Sequence, residues 1–234
     1  VQDETGILAA TEDGQIEARS MGDLVLRVPM DVPLEGCNVG GDAKIGDLSG
    51  RLSLENVGGD LLLRDAGPTD VARIGGDVRV KRAEGSVSLG MVGGDATIRE
   101  VSGDTTIAQV GGDLYVRDVG GGCRVEHVGS DLVLSTGFAP GAEYRFDVGG
   151  DIVCRIPAGA SVRFRTTHSP DLVVDAPGAQ VAESEHGDEV VFGAGEAIVQ
   201  LDAAGEIRLV GQDEDYMMAI NFQLEGELAE RLAG

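Results

Sequence analysis

A hydrophobic residue followed by Gly-Gly-Asp occurs six times in this chain, in Val39-Gly40-Gly41-Asp42, Val57-Gly58-Gly59-Asp60, Ile74-Gly75-Gly76-Asp77, Val92-Gly93-Gly94-Asp95, Val110-Gly111-Gly112-Asp113 and Val148-Gly149-Gly150-Asp151. Counting the variant Val128-Gly129-Ser130-Asp131, the aspartates stand 18, 17, 18, 18 and 18 residues apart from Asp42 to Asp131, then 20 to Asp151. A fixed step of this length is the mark of a repeat architecture in which each unit covers its apolar face with the next. The chain is therefore expected to wind as a solenoid, one coil per step.

Within each coil the residues one and three places after the aspartate are apolar or small. The first series is Leu24, Ala43, Leu61, Val78, Ala96, Leu114, Leu132 and Ile152; the second is Leu26, Ile45, Leu63, Val80, Ile98, Val116, Leu134 and Cys154. Alternation with period two is that of a strand with one face inward. A second apolar pair follows about nine residues on, as in Leu52 and Leu54, Val87 and Leu89, Thr105 and Ile107, or Cys123 and Val125. Each coil thus has at least two strand faces, and the expected fold is all-β, a single-stranded parallel β-helix of about 18 residues per coil. Gly-Gly is expected to make the corner by adopting positive φ. Only 3% of residues are aromatic, with no Trp and 37 Gly, which suits a narrow interior. About eleven coils would give a rod on the order of 50 Å long.

The repeat argues for one domain in three parts. Residues 1–22 read as an imperfect end coil with strand pieces at Gly6-Ile7-Leu8-Ala9 and Gly14-Gln15-Ile16-Glu17. Residues 23–210 form the solenoid, with a short coil at Gly67-Pro68, a longer loop at Gly137-Phe138-Ala139-Pro140-Gly141, and looser later strands starting at Asp171, Asp188 and Glu206. Residues 211–234 leave the repeat: Met218, Ile220, Phe222 and Leu224 alternate like a strand, then Leu228, Ala229 and Leu232 fall at helical spacing. That segment reads either as a cap over the open end or as a strand that docks on a neighbouring molecule.

The formal charge of −23 excludes whole classes of partner. Nucleic-acid binding needs Lys and Arg to displace counterions along phosphates, and an anionic membrane surface would be repelled. There is no charged n-region leading into an apolar run and no stretch of 18 apolar residues, so a soluble chain without membrane insertion is expected. Three cysteines make no disulfide framework; Cys123 and Cys154 fall at inward positions as small buried hydrophobes, and Cys37 lies just before a corner. His127, His168 and His186 lack a nucleophile or metal-ligand partner at recognisable spacing, and the acids are spread evenly instead of clustering, so no catalytic residues are assigned.

Two columns of charge run along the rod. Asp42, Asp60, Asp77, Asp95, Asp113 and Asp131 would stack about 4.8 Å apart at the corners, where they act as corner caps or, alternatively, hold Ca²⁺. Four residues after the aspartates lie Arg27, Arg64, Lys81, Arg99, Arg117 and Arg155 on outward positions, a basic stripe that breaks up the acidic surface. Recognition of an anionic polymer by this stripe is the weaker alternative.

Val101-Ser102-Gly103-Asp104, taken with the Val-Gly-Gly-Asp series, resembles the V-S-G-D repeats of a bacterial adhesin-type β-solenoid family. Ile156-Pro157-Ala158-Gly159-Ala160-Ser161-Val162 is similar to that family's proline-led P-A-G-A strand entry, and the likeness covers roughly residues 20–210. It implies a non-enzymatic structural or surface-interaction role outside the cell or at its surface rather than in the cytoplasm, with another surface protein or a polysaccharide as partner. Coil length and apolar spacing are also similar to the filament-forming bactofilins, although the Gly-Gly-Asp corner departs from theirs; self-association through the ends, by Met218, Ile220, Phe222 and Leu224, is the expectation that goes with this. The glycine-and-aspartate turns resemble the calcium-binding repeats of secreted toxins, but those follow Gly-Gly-x-Gly-x-Asp. Parallel β-helices also include polysaccharide-acting enzymes, which use clustered acids and aromatic platforms that this chain lacks.

Overall fold

The structure is a computed structural model that describes residues 7–10, 16–31, 33–167, 171–184 and 187–212. All its regular elements are strands. From Leu24 to Val148 the chain winds about seven turns, adding strands alternately to two sheets, of thirteen and ten strands, called here the first and second sheet. Thus Val87–Val92, Thr105–Val110 and Cys123–Val128 stack in the first sheet while Val78–Ala83, Ala96–Val101 and Leu114–Val119 stack in the second. Neighbours are parallel and one coil apart in register: Ile98 lies between Val80 and Val116, and Ile107 between Leu89 and Val125. The single short coil has lost a residue from its second corner, where Gly67-Pro68 stands in place of three.

From Ala43–Leu48 to Cys123–Val128 each six-residue strand buries its first, third and sixth residues, as many as simple alternation gives but with the last moved from fifth to sixth place. The sixth is the hydrophobic residue that opens the corner motif, such as Val92 or Val110, or its second-sheet counterpart Val101. A bulge resets the phase. In the second sheet the fifth residue drops out of the ladder and takes a left-handed conformation, in Asp47 (φ 59°), Asp65 (52°), Arg82 (56°), Glu100 (57°) and Asp118 (53°). In the first sheet the fourth residue, for example Gly90 or Ala108, is skipped instead. Three inward residues per strand close a two-sheet core with room for little but Val, Leu, Ile and Ala.

The corners correct the sequence expectation. Gly40, Gly41, Gly58, Gly59, Gly75, Gly76, Gly93, Gly94, Gly111, Gly112, Gly149 and Gly150 do occupy corners, but none has a positive φ. Their requirement is space. A Cβ on Gly93 would stand 2.3 Å from the carbonyl oxygen of Gly75, and one on Gly94 2.0 Å from Asp77 Oδ1. The corners are in backbone contact coil to coil: Gly93 donates to the carbonyl of Ile74 and Gly94 to that of Gly76, at 2.9 and 3.0 Å. The left-handed turns sit instead on charged residues of the second sheet, where Asp tolerates them best.

Chain order and stacking order part company after Ile156. The first sheet continues from Glu143–Val148 to Ala197–Ala203 and only then to Val162–Thr166; the second continues from Ile152–Ile156 to Ile207–Gly211 and then to Leu172–Asp175. The late coil is slotted between two earlier ones, so the expected sequential run of about eleven coils becomes about seven regular turns followed by two layers in reversed order. At both ends of the first sheet the pairing turns antiparallel. Ile7–Ala10 pairs antiparallel with Ile16–Ser20, a hairpin where an end coil was expected, and Gly187–Phe192 bridges Val162–Thr166 and Gln180–Ser184 antiparallel to both. Here the core widens around aromatic rings: Phe138, from the longer loop, meets Tyr144 and Phe164 edge-on at 5.5 and 5.6 Å, and Phe164 meets Phe192 at 6.0 Å.

Ile98 is completely buried, so Ile98→Asp is expected to abolish cooperative thermal unfolding: an unpaired buried carboxylate costs several kcal/mol against a total of roughly 5 to 15. The corners make a sharper test. Gly93→Ala is expected to cost more than about 2 kcal/mol, because backbone blocks the new methyl group, whereas Gly137→Ala, with nothing within 4 Å, should stay within about 0.5 kcal/mol. Similar denaturation midpoints for both would mean that corner stacking is not the reason for glycine.

A candidate interaction groove on the second sheet

The aspartate column is a hydrogen-bonded ladder. Each Oδ1 accepts the backbone N–H of the aspartate one coil later: Asp23 from Asp42 at 3.0 Å, Asp42 from Asp60 at 2.8 Å, Asp60 from Asp77 at 2.8 Å, Asp77 from Asp95 at 2.9 Å, Asp95 from Asp113 at 2.8 Å, Asp113 from Asp131 at 3.1 Å and Asp131 from Asp151 at 2.8 Å. The acceptor serves the next coil rather than its own turn, which a local Asx reading does not foresee. The ladder ends on Glu206, whose N–H reaches Asp151 at 2.8 Å. Ala204-Gly205-Glu206 is a degenerate corner motif, and its separation of 55 positions from Asp151 hides it from any fixed-period search. The opposite corner repeats the device where Asp104 accepts from Gly122 and Ser102 from Gly85, both at 2.8 Å.

Each corner supplies one carboxylate with one oxygen committed to backbone. Among the described residues no three Asp, Glu, His or Cys side chains gather as a metal-holding group. This donor set does not fit the six to eight oxygens that Ca²⁺ takes.

The basic stripe is continuous where register allows. Arg64, Lys81, Arg99 and Arg117 are direct cross-strand neighbours, Ser135 interrupts, and Arg155 follows. The left-handed column lies beside it: Arg117 of the stripe donates to Asp118 at 3.0 Å, and within the column Arg82 donates to both oxygens of Asp65. The hydrogen bonds from Arg82, helped by the nearby charges of Arg64 and Lys81, hold the Asp65 carboxyl below its usual range. On the first sheet His127 Nδ1 lies 3.7 Å from Asp147, both exposed; His168 and His186 lie outside the described residues. Burial pushes the Cys123 thiol up to about 12 and Cys154 higher still, which suits inert core residues. Cys37 lies in strand Leu34–Val39. Met218, Ile220, Phe222 and Leu224 lie outside the described residues.

The concave feature that the sequence did not reveal is on the outer face of the second sheet, at the reordered layers. Tyr115, Val133, Val153, Arg208 and Val173 form one transverse column, each the direct cross-strand neighbour of the next. Proline- and glycine-bearing loops at 157–160, 176–178 and 192–193 wall this floor into a groove of about 1150 Å³. Tyr115 is nearly covered, with the Arg99 guanidinium 5.0 Å over its ring, while Val173 is 38% exposed. The lining carries two arginines, Arg155 and Arg208, against one carboxylate, Asp175; Arg208 is also paired with Glu206 at 2.6 Å. Arg155 is only 4% exposed, against its expected outward position, so the exposed basic group at the groove is Arg208. Only the reversal of coil order puts Arg208 between Val153 and Val173.

The ladder generates a test. Asp95→Ala is expected to lower stability by about 1–2 kcal/mol, the worth of a backbone-to-carboxylate hydrogen bond less the carboxylate repulsion that goes with it, and Asp95→Asn by much less because its carbonyl oxygen still accepts. Calcium at about 5 mM should leave the parent's melting midpoint unmoved, since a ligand of the folded state would raise it; a rise abolished by Asp95→Asn would reinstate the metal column.

Comparison with protein-family models, with curated proteins and with solved structures found no match, so the functional reading rests on geometry.

Proposed function

We propose that this chain is a non-enzymatic, adhesin-like surface-interaction rod that takes an extended, acidic-and-apolar segment of another protein into the groove of the second sheet. The observation that carries this reading is the cross-strand column Tyr115, Val133, Val153, Arg208 and Val173, four apolar or aromatic side chains and one arginine, on the outer face of the second sheet between raised loops. Contiguous apolar surface rimmed by polar groups marks an interaction site more often than chance exposure does. A sugar polymer fits less well: Tyr115 and Phe192 are the lining aromatics, and both are turned almost wholly away from solvent. The single carboxylate in the lining supports a binding role over acid–base hydrolysis, which calls for two.

End-to-end self-association is a second reading. It is favoured by strand Leu172–Asp175, which among the described residues pairs on one side only, with Ile207–Gly211. An open parallel edge accepts a further strand. Light scattering would then give masses above about 24 kDa that grow with concentration.

The groove reading is tested by titrating the full chain with a synthetic decapeptide of three acidic residues followed by alternating serine and large apolar residues. Dextran sulfate serves as a purely anionic control. Val133→Asp and Arg208→Glu are each expected to weaken peptide binding at least about tenfold, a loss typical of a central contact, while melting like the parent. Equal affinity in parent and both variants, or tighter binding of dextran sulfate than of the peptide, would overturn it.

A further inference from the structure

We propose that the first occupant of this groove is the chain's own C-terminal segment, residues 213–224, an inference that rests on reading the groove as a binding surface. The path of the chain is the first argument. The last described strand, Ile207–Gly211, contributes Arg208 to the floor, and Val210, Gly211 and Gln212 line the same groove. The Gln212 N–H is bonded to the carbonyl of Ile156 at 2.9 Å, so the chain leaves the fold at the rim of the groove.

The residues after Gln212 have the composition the groove selects. Asp213-Glu214-Asp215 comes first, opposite in sign to the exposed Arg208, and Met218, Ile220, Phe222 and Leu224 then alternate with smaller or polar residues. Lengths agree as well. The column from Tyr115 to Val173 crosses four strand spacings, roughly 19 Å, and Met218 to Leu224 in extended form spans roughly 20 Å. The residues 213–217 give a leader of about 16 Å, enough to bring the apolar part across the floor.

Tethering decides the competition. A segment held on so short a leader faces the groove at an effective concentration in the millimolar range. Even an intrinsic affinity near 100 μM would then keep the groove mostly filled, and an outside protein segment would bind roughly tenfold more weakly than to the open groove. The segment therefore sets a threshold for partner binding, and a partner must match the groove better than residues 213–224 do.

Hydrogen exchange read by mass spectrometry on the full chain tests this. Amides of residues 216–224 are expected to exchange at least about tenfold more slowly than in a free synthetic peptide of residues 213–234, equally at low and high protein concentration. Val133→Asp in the floor and Phe222→Asp in the segment should each remove that protection while leaving the melting transition in place. No protection in the parent, or protection that survives Val133→Asp, overturns the proposal. Protection that grows with concentration assigns the segment to a second copy and overturns it too. Peptide titration separates this inference from the reading beneath it: Phe222→Asp should bind the acidic-and-apolar decapeptide about tenfold more tightly than the parent does. Equal binding sinks the tethered segment and leaves the groove standing; protection of 216–224 without peptide binding to any variant sinks the reading of the groove as a partner site.

Discussion

Everything in this molecule depends on corners that stack in backbone contact. Gly58 and Gly59 donate to Val39 and Gly41 at 2.9 Å, Gly75 and Gly76 to Val57 and Gly59 at 2.9 and 3.0 Å, and the pattern repeats along the rod. At that spacing no Cβ fits. The two sheets can stay in register only because the corners stack as closely as the strands do, and a wider corner would pull each coil out of line with the next. The repeat length follows from the same constraint: two six-residue strands and two three-residue corners return the chain to its starting point one strand spacing higher.

The aspartate column is a conflict resolved by local chemistry. Carboxylates stacked about 4.8 Å apart repel one another by about 1 kcal/mol even at the dielectric constant of water. Each one also accepts a backbone N–H from the next coil, an interaction with a charged acceptor that is worth about 1.5–3 kcal/mol. The attraction outweighs the repulsion, and salt screens the repulsion further. The same accounting explains the second sheet, where the stacked cations Arg64, Lys81, Arg99 and Arg117 are interleaved with the acids at Asp65, Glu100 and Asp118.

The reversal of coil order near the end is what gives an otherwise uniform rod a distinctive place. A regular solenoid repeats one surface at every level. Inserting Ala197–Gly211 beneath Val162–Asp175 brings in different outward residues, and the groove lies among the loops at 157–160, 176–178 and 192–193. The aromatic rings of Phe138, Tyr144, Phe164 and Phe192 fill the wider interior below. The proposals for this chain therefore concentrate where the repeat fails.

The sequence by itself determined the solenoid, the coil length, the inward residues from Leu24 to Cys154 and the corner positions, because each is a short-range periodic demand that recurs with every coil. It did not show why the corners are glycine. Positive φ and close approach leave the same residue in the sequence, and only the stacked neighbour at 2.0–2.6 Å separates them. Nor could spacing find the left-handed column at Asp47, Asp65, Arg82, Glu100 and Asp118, since those residues look like ordinary outward charges. Tertiary structure alone decided that Glu206 completes the ladder from Asp151 and that Val133, Val153, Arg208 and Val173 share a floor. Those contacts join residues far apart in the chain through a stacking order that departs from the order of synthesis, and no local pattern encodes such a swap.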